Sequence, residues 1–233
     1  MVICLSNLAT LDLSFNKFSI ITSSNSSIVS HFPKLYSLNL ASCNLQKFPN
    51  LQNHSTLMNV DLSDNKIQGE IPNWIWEVGN EALSYLNLSH NNLTSLQEPY
   101  GNFLEGKIPQ SLVNCRMLHV LNLGNNMIND TYPCSLGNNT NLHVLVLRSN
   151  RFHGSVHCGE GRHNWSNLHI LDIAHNNFNG VVPPEFFSQW RAMTTVDNRT
   201  STKQLSYIVS QGFYYQDTVT VTVKGFELNW LKS

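Results

Sequence analysis

Ten histidines and five cysteines are the residues of this 233-residue chain best suited to metal binding or catalysis. The cysteines form no CxxC pair and show no Cys/His spacing typical of a zinc site. The sequence also lacks HExxH, G-x-S-x-G and a phosphate-binding loop, because the glycine-rich segment 159–162 is not followed by Lys-Ser/Thr. No nucleophile–base pair stands out. The sequence therefore predicts neither an enzyme nor a protein that holds a metal or cofactor.

The charge content argues against a nucleic-acid-binding protein. Charged residues make up 12% of the chain, and 14 basic residues nearly balance 15 acidic ones, so there is no basic stripe to bind nucleic acid. No apolar run reaches the ~18 residues that span a bilayer, which predicts no membrane contact by this chain itself. The first eight residues lack the basic and apolar regions of a signal peptide, and none is predicted.

A repeat dominates the sequence, and it must position any functional side chain. With 31 Asn and 30 Leu, the chain carries seven copies of L-x-x-L-x-L-x-x-N, whose nine positions are numbered 1 to 9 below. The copies begin at Leu8, Leu35, Leu57, Leu83, Leu118, Leu142 and Leu168. Position 9 is held by Asn16, Asn65, Asn91, Asn126, Asn150 and Asn176, and by Cys43 in the second copy.

The residue types explain the motif physically. Alternating L-x-L predicts a short strand with one buried face, and stacked copies predict a parallel sheet that lines a concave side. The Asn of position 9 can bond backbone groups where the chain leaves the strand, in its own and in the neighbouring coil. We therefore expect a structural Asn ladder. The predicted fold is an α/β leucine-rich repeat solenoid, a horseshoe with an irregular or 3₁₀ convex side.

Several copies continue with L-x-G-x-I-P, at 67–72, 104–109 and 178–183. This continuation resembles the plant-specific leucine-rich repeat, and the resemblance covers roughly residues 5–187. Residues 213–225 resemble the non-repeat island of plant receptor-like proteins of the pathogen-resistance type; within them, the alternation of Val and Thr predicts one strand. We expect a repeat array over 1–187 and part of an island over 188–233. Without the flanking parts of that family, the chain resembles an internal ectodomain fragment.

The interval of 35 residues between Leu83 and Leu118 fits neither one repeat nor two. Residues 101–117 read as the second half of a repeat whose first half is missing, and Pro99 stands where a ladder strand would lie. This predicts that sequence was lost between about Leu93 and Gly101 by deletion or mis-splicing. The alternative is a naturally irregular loop.

The resemblance implies an extracellular ligand-recognition module of a plant cell-surface receptor-like protein, at the outer face of the plasma membrane, in defence or developmental signalling. It implies a protein, peptide or glycan ligand on the concave face and a co-receptor kinase for the full-length family. Two related alternatives are a piece of a receptor kinase ectodomain and a secreted inhibitor of microbial wall-degrading enzymes. The island at 213–225 argues against the inhibitor.

The outward positions of the predicted strands are mostly small or polar, which keeps a sheet face soluble. Phe15, Tyr36, Tyr85 and Arg148 stand out as candidate ligand contacts, because Arg and Tyr are enriched at binding hot spots. His119, His143 and His169 share position 2 in consecutive copies and should stack about 5 Å apart. They could form a metal ladder, but solvated side chains beside the strand are favoured.

Two kinds of covalent modification are also predicted. Asn-x-Ser/Thr glycosylation motifs occur at Asn25, Asn53, Asn87, Asn92, Asn129, Asn138, Asn164 and Asn198. Cys134 and Cys158 each lie eight residues after position 9 of their copies, so they occupy equivalent places on adjacent coils. That spacing allows a disulfide between them. Cys4, Cys43 and Cys115 are at non-equivalent places and should stay unpaired.

Overall fold

The computed structural model describes residues 5–16, 32–52, 54–96, 112, 115–158, 165–182, 184–188, 190, 192, 219–223 and 226–230. The chain divides into two units, Met1–Thr195 and Val196–Ser233. The division falls later than the boundary expected at 187, because Phe186 and Trp190 pack against the core of the repeat array.

Seven short parallel strands form the main sheet of the first unit, one from each copy of the repeat. Their order in the sheet is their order along the chain, and equivalent residues pair, as Leu11 does with Leu38. This confirms the solenoid fold. The strands are β1 (Thr10–Asp12), β2 (Ser37–Asn39), β3 (Asn59–Asp61), β5 (Tyr85–Asn87), β7 (Val120–Asn122), β8 (Val144–Val146) and β10 (Ile170–Asp172).

A second set of parallel pairings follows the Asn of position 9. Here β4 (Gln68–Ile71) pairs with β6 (Asn92–Leu96), and β9 (His153–Gly154) pairs with β11 (Asn177–Phe178). The glycine of the L-x-G-x-I-P continuation has a positive φ in these strands, 88° at Gly69, which explains why glycine is used there. In the copy that begins at Leu118, the buried Asp130 takes that place.

The core is built from the leucine positions of the repeat. Positions 1, 4 and 6 are almost fully buried in the inner copies, whereas Leu11 and Leu171 in the terminal copies are only partly covered. Each inner coil therefore buries its apolar side against two neighbours, as solenoid stability requires.

The convex side carries short helices between irregular segments. Within the described residues they include the 3₁₀ helices Asn73–Glu77 and Cys134–Asn138 and the α-helix α1 (Pro184–Ser188). The first inserts Trp76 fully into the core. The expected irregular or 3₁₀ convex side is therefore present.

The long interval before Leu118 does not interrupt the main sheet. Tyr85 of β5 pairs directly with Val120 of β7. The copy that begins at Leu83 continues as β6 to Leu96, and its pairing with β4 has a register shift between Gly69 and Glu70, opposite Leu93 and Ser95. Pro99 and nearly all of the half repeat at 101–117 lie outside the described residues.

The second unit contains an antiparallel pair of strands, β12 (Val219–Val223) and β13 (Phe226–Trp230). The strand expected from the alternation of Val and Thr is present as β12. Its partner β13 was not predicted, although Phe226, Leu228 and Trp230 alternate with polar residues there in the same way.

A disulfide joins Cys134 and Cys158, the two cysteines that the repeat spacing pairs, with a Cα–Cα distance of 5.5 Å. It connects the convex segments of two adjacent coils. Cys43 and Cys115 are free buried thiols, and Cys4 lies outside the described residues.

Replacing both Cys134 and Cys158 by serine is expected to lower the free energy of unfolding by about 3 kcal/mol, because the bond closes a long loop in the unfolded chain. Urea denaturation followed by circular dichroism measures the change. The reduced wild-type protein should match the double variant. A double variant as stable as the oxidised wild type would refute the prediction.

Candidate functional site

The outward side chains of the main sheet, at positions 3, 5 and 7, form the candidate binding face. Most polar groups at position 5 close the turn that follows their strand. Asp61 Oδ1, for example, accepts hydrogen bonds from the backbone N–H of Ser63 at 2.9 Å and from its hydroxyl at 2.6 Å. The same contact with position 7 is made by Asp12, Asn39, Asn87, Asn122 and Asp172.

The carboxylates of this face also bond sideways to the adjacent coil. Asn39 Nδ2 donates to Asp12 Oδ2 at 3.2 Å, and Asn87 Nδ2 donates to Asp61 Oδ2 at the same distance. The hydroxyl of Ser14 holds the pKa of Asp12 below its ordinary value. These bonds join the first coil to the second and the third to the fourth, so the position 5 side chains of each pair are held in place before any ligand arrives.

One coil departs from this pattern. Val146 occupies position 5 and cannot accept a hydrogen bond, and Arg148 occupies position 7 where the other coils have small residues. The Arg148 guanidinium instead reaches Asp172 of the next coil, with a distance of 3.6 Å from Nη1 to Oδ2. An exposed pair of this kind adds about 0–1 kcal/mol to stability.

The four candidate contact residues are spread along the array rather than gathered in one pocket. Tyr36 lies at position 2, Tyr85 at position 3, Arg148 at position 7 and Phe15 at position 8, each in a different coil. Two of them reach carboxylates of the position 5 row: the Tyr85 hydroxyl lies 3.5 Å from Asp61 Oδ2, and Arg148 pairs with Asp172 as described above. Five strand steps, about 24 Å, separate the coil of Phe15 from that of Arg148.

Accessibility divides the face into two parts. The position 5 side chains of the first four coils are exposed or half-buried. Those of the next two coils, Asn122 and Val146, are buried, and Val144 at position 3 is fully covered. The accessible part therefore contains Tyr85, with Tyr36 at position 2 on the strand-entry edge of the same coils, but not the surroundings of Arg148. Nothing in the repeat pattern indicated this division.

The three histidines of position 2 stack as expected. Their ring centroids are 5.3 Å apart for His119 and His143, and 5.4 Å apart for His143 and His169. Burial, followed by the charges of its two neighbours, lowers the pKa of His143. Among the described residues, no group of three His, Cys, Asp or Glu side chains is arranged to hold a metal ion.

The predicted Asn ladder is formed at the end of the strands. Asn65 Nδ2 donates to the carbonyl oxygens of Leu40 and Leu62, one in each of two adjacent coils. Asn91, Asn126, Asn150 and Asn176 do the same, whereas Asn16 in the first coil bonds only its own coil. Cys43, the substitute in the second copy, directs its thiol to the carbonyl of Leu13 at 3.1 Å.

The free thiols do not provide a reactive site. Burial raises the pKa of Cys43, and it raises the pKa of Cys115 to about 12. Because the thiolate is the reactive form, both thiols should be inert near neutral pH.

The glycosylation motifs fall in different environments. Asn92, Asn129 and Asn138 are exposed away from the main sheet, whereas Asn87 is half-buried on it and bonded to Asp61. Asn25, Asn53, Asn164 and Asn198 lie outside the described residues. Glycans on the three exposed sites would leave the candidate binding face open.

The helices of the described part are all too short to cross a bilayer.

Comparison with known proteins agrees with this geometry. The family model described as leucine-rich repeat matches residues 56–78 and 167–189. Receptor-like protein 18 of Arabidopsis thaliana is 31% identical over 97% of this chain and 35% of its own length. The chain therefore spans about a third of that relative.

Two solved structures from Arabidopsis share the fold. One is the receptor kinase HAESA in complex with the peptide hormone IDA and the co-receptor SERK1. It has a TM-score of 0.62 and 27% identity, over 81% of this chain and 29% of that one. The other is the ectodomain of the receptor kinase GASSHO1/SCHENGEN3 with CASPARIAN STRIP INTEGRITY FACTOR 2, at a TM-score of 0.55 and 28% identity, over 76% and 22% of the two chains. From its repeats, its solenoid and these relatives, the chain belongs to the plant leucine-rich repeat receptor-like proteins.

Proposed function

We propose that this chain is an extracellular ligand-recognition module of a plant cell-surface receptor-like protein, with no catalytic activity of its own. The observation that carries the proposal is the accessible sheet face of the first four coils, whose position 5 side chains are held by hydrogen bonds to their own turns and, in pairs, between adjacent coils. A face ordered in advance loses little conformational entropy when a ligand binds.

An extended peptide is the ligand that this face fits best. The accessible side chains form a line across parallel strands rather than a closed pocket, and Tyr36 and Tyr85 stand along it as half-buried aromatic anchors. The HAESA complex, which contains a peptide hormone and a co-receptor, supports the same class of ligand and a co-receptor kinase as a further partner. The 31% identity to receptor-like protein 18 favours a receptor-like protein over a receptor kinase.

Peptide arrays test the proposal. The purified chain is probed with synthetic peptides from secreted plant and microbial proteins, and hits are measured by calorimetry. We expect at least one micromolar binder, with affinity reduced about tenfold by Tyr85→Ala because an aromatic anchor is removed. Gln68→Ala, at an exposed site on β4, is the matched control and should leave affinity unchanged.

Two results would contradict this function. A folded wild-type chain that binds no peptide would remove the recognition role. Binding that Gln68→Ala weakens and Tyr85→Ala does not would place the ligand away from the main sheet.

A further inference from the structure

We infer that the edge formed by His119, His143 and His169 is an acid-dependent binding surface for a peptide segment rich in carboxylates. This edge lies where the chain enters β7, β8 and β10, beside the sheet face proposed above, and the inference does not depend on that proposal. From here on, the three residues are called the histidine edge.

The backbone holds the histidine edge in a fixed row. The N–H of His143 donates to the carbonyl of His119 at 2.8 Å, and the N–H of His169 donates to that of His143 at the same distance. The rings are nearly parallel, with interplanar angles of 9° and 18°. The repeat therefore presents three imidazoles at a regular spacing on an ordered ladder.

Hydrogen bonds engage one ring nitrogen at each end of the row. His169 Nδ1 lies 2.7 Å from the carbonyl oxygen of Asn167. A carbonyl only accepts, so Nδ1 carries the hydrogen of this bond and Nε2 is the nitrogen on the opposite side of the ring. At the other end, His119 Nδ1 lies 2.9 Å from the hydroxyl of Ser84.

Within the described residues, no carboxylate is paired with the histidine edge. The apolar Val120, Val144 and Ile170 directly follow the three histidines along the chain. The turns that lead into these strands carry one charged side chain, Arg116, and the turn one coil earlier carries Glu81. In the described part of the chain, neither Glu81 nor any other carboxylate forms an ion pair with these rings. Protonation would therefore leave positive charge that the fold does not neutralise.

The lowered pKa of His143 couples proton binding to ligand binding. The folded pKa of His143 is lowered from the ordinary value of 6.5 by burial and then by its two neighbours. The folded state thus binds fewer protons than the unfolded one near that pH, and stability contributed by His143 is lost as the pH falls through 6.5. Carboxylates placed against the rings would favour the protonated form, so a carboxylate ligand should bind more tightly in acid.

An acidic peptide matches this surface in spacing and in charge. Alternate side chains of an extended peptide repeat at about 6.6 Å, close enough to the ring spacing for flexible Glu side chains to reach three successive imidazoles. Nucleic acid would require a longer basic stripe, which a chain with 14 basic and 15 acidic residues lacks. A segment with three alternating glutamates is therefore the expected ligand.

The probe is a capped hexapeptide of alternating Glu and Thr, with the Gln–Thr hexapeptide as its neutral counterpart. Calorimetry at about pH 5.5 and about pH 7.5 should show binding of the Glu peptide that is about tenfold weaker at the higher pH. NMR titration should show that the peptide raises the pKa of His143. The Gln peptide should bind at neither pH.

Histidine substitutions test whether the acid-dependent binding takes place at the histidine edge. His143→Gln and, separately, the more exposed His169→Gln should reduce binding about tenfold at the lower pH and flatten its pH dependence. The control is His153→Gln, an exposed histidine on β9, which should behave as wild type. Circular dichroism checks that each variant is folded. Equal binding of the Gln peptide, unchanged binding by the two histidine edge variants, or an equal loss in the control would overturn the inference.

Discussion

Replacing Asn126 by alanine is expected to lower the free energy of unfolding by about 4 kcal/mol. The buried Asn126 donates from Nδ2 to the carbonyl oxygens of Leu88 at 3.0 Å, and of Leu123 and Gly124 at 3.1 Å. Its Oδ1 accepts from the N–H of Leu93 at 3.0 Å. Alanine would leave these backbone groups buried without a partner at the junction of two coils. Each group that water cannot reach would lower the free energy of unfolding by about 1–3 kcal/mol.

Urea denaturation followed by circular dichroism measures the loss, with Asn16→Ala as the matched control. Asn16 holds the same repeat position, but it is exposed and bonds only to Leu13 and Ser14 of its own coil. The control should cost at most about 1 kcal/mol, because water replaces the lost bonds. Equal losses of unfolding free energy in the two variants would show that hydrogen bonds between coils do not contribute to stability.

The ladder shows how much of the fold can be predicted from the sequence. A strand of alternating leucines must bury one face, and the amide at its end has both the donors and the acceptor that two coils require. The seven strands of the main sheet and the place of Cys43 at position 9 therefore follow from residue types and spacing. The Cys134–Cys158 pairing follows from the equal distance of each cysteine from its Asn.

Position 8 could not be predicted in the same way. It holds residues as different as Phe15, Asp64 and His175, so no residue type marks it, yet all seven copies have a positive φ between 52° and 56°. In the first six copies the N–H at this position donates to the carbonyl at position 7 of the next coil, as that of Asp64 does to Ser89 at 3.0 Å. His175 has the same φ in the last copy, whose strand β10 ends the main sheet, so this conformation belongs to the turn of the repeat whichever side chain is present.

The candidate site was harder to predict than the fold for a related reason. The sequence indicates only that the acidic and amide residues of position 5 keep a sheet face soluble, and in the structure Asp61 and its equivalents close the turns of their own strands. Their position shows where the face lies and not what it binds. The burial of Val144 and Val146 depends on packing across coils, which a repeat pattern does not encode.

Replacing Gly79 by alanine is expected to cost about 4 kcal/mol, because the new methyl group would occupy space held by backbone. A Cβ at Gly79 would lie 2.1 Å from the carbonyl oxygen of Leu57. That carbonyl cannot withdraw easily, since Leu57 is fully buried next to β3. The residue also has a φ of 73°, and its N–H donates to the carbonyl of His54 at 2.7 Å, so the turn is held in place on both sides.

Gly69→Ala separates the steric effect from backbone strain. Gly69 has a φ of 88°, but nothing lies within 4 Å of an added Cβ, so the control carries only the strain of a left-handed residue, about 1–2 kcal/mol. Both losses are measured by urea denaturation under the same conditions. The difference between them is the cost of moving Leu57 away from the new methyl group. If the two variants lost the same stability, the turn at Gly79 would have room to shift, and the close approach of Leu57 would not constrain the coil.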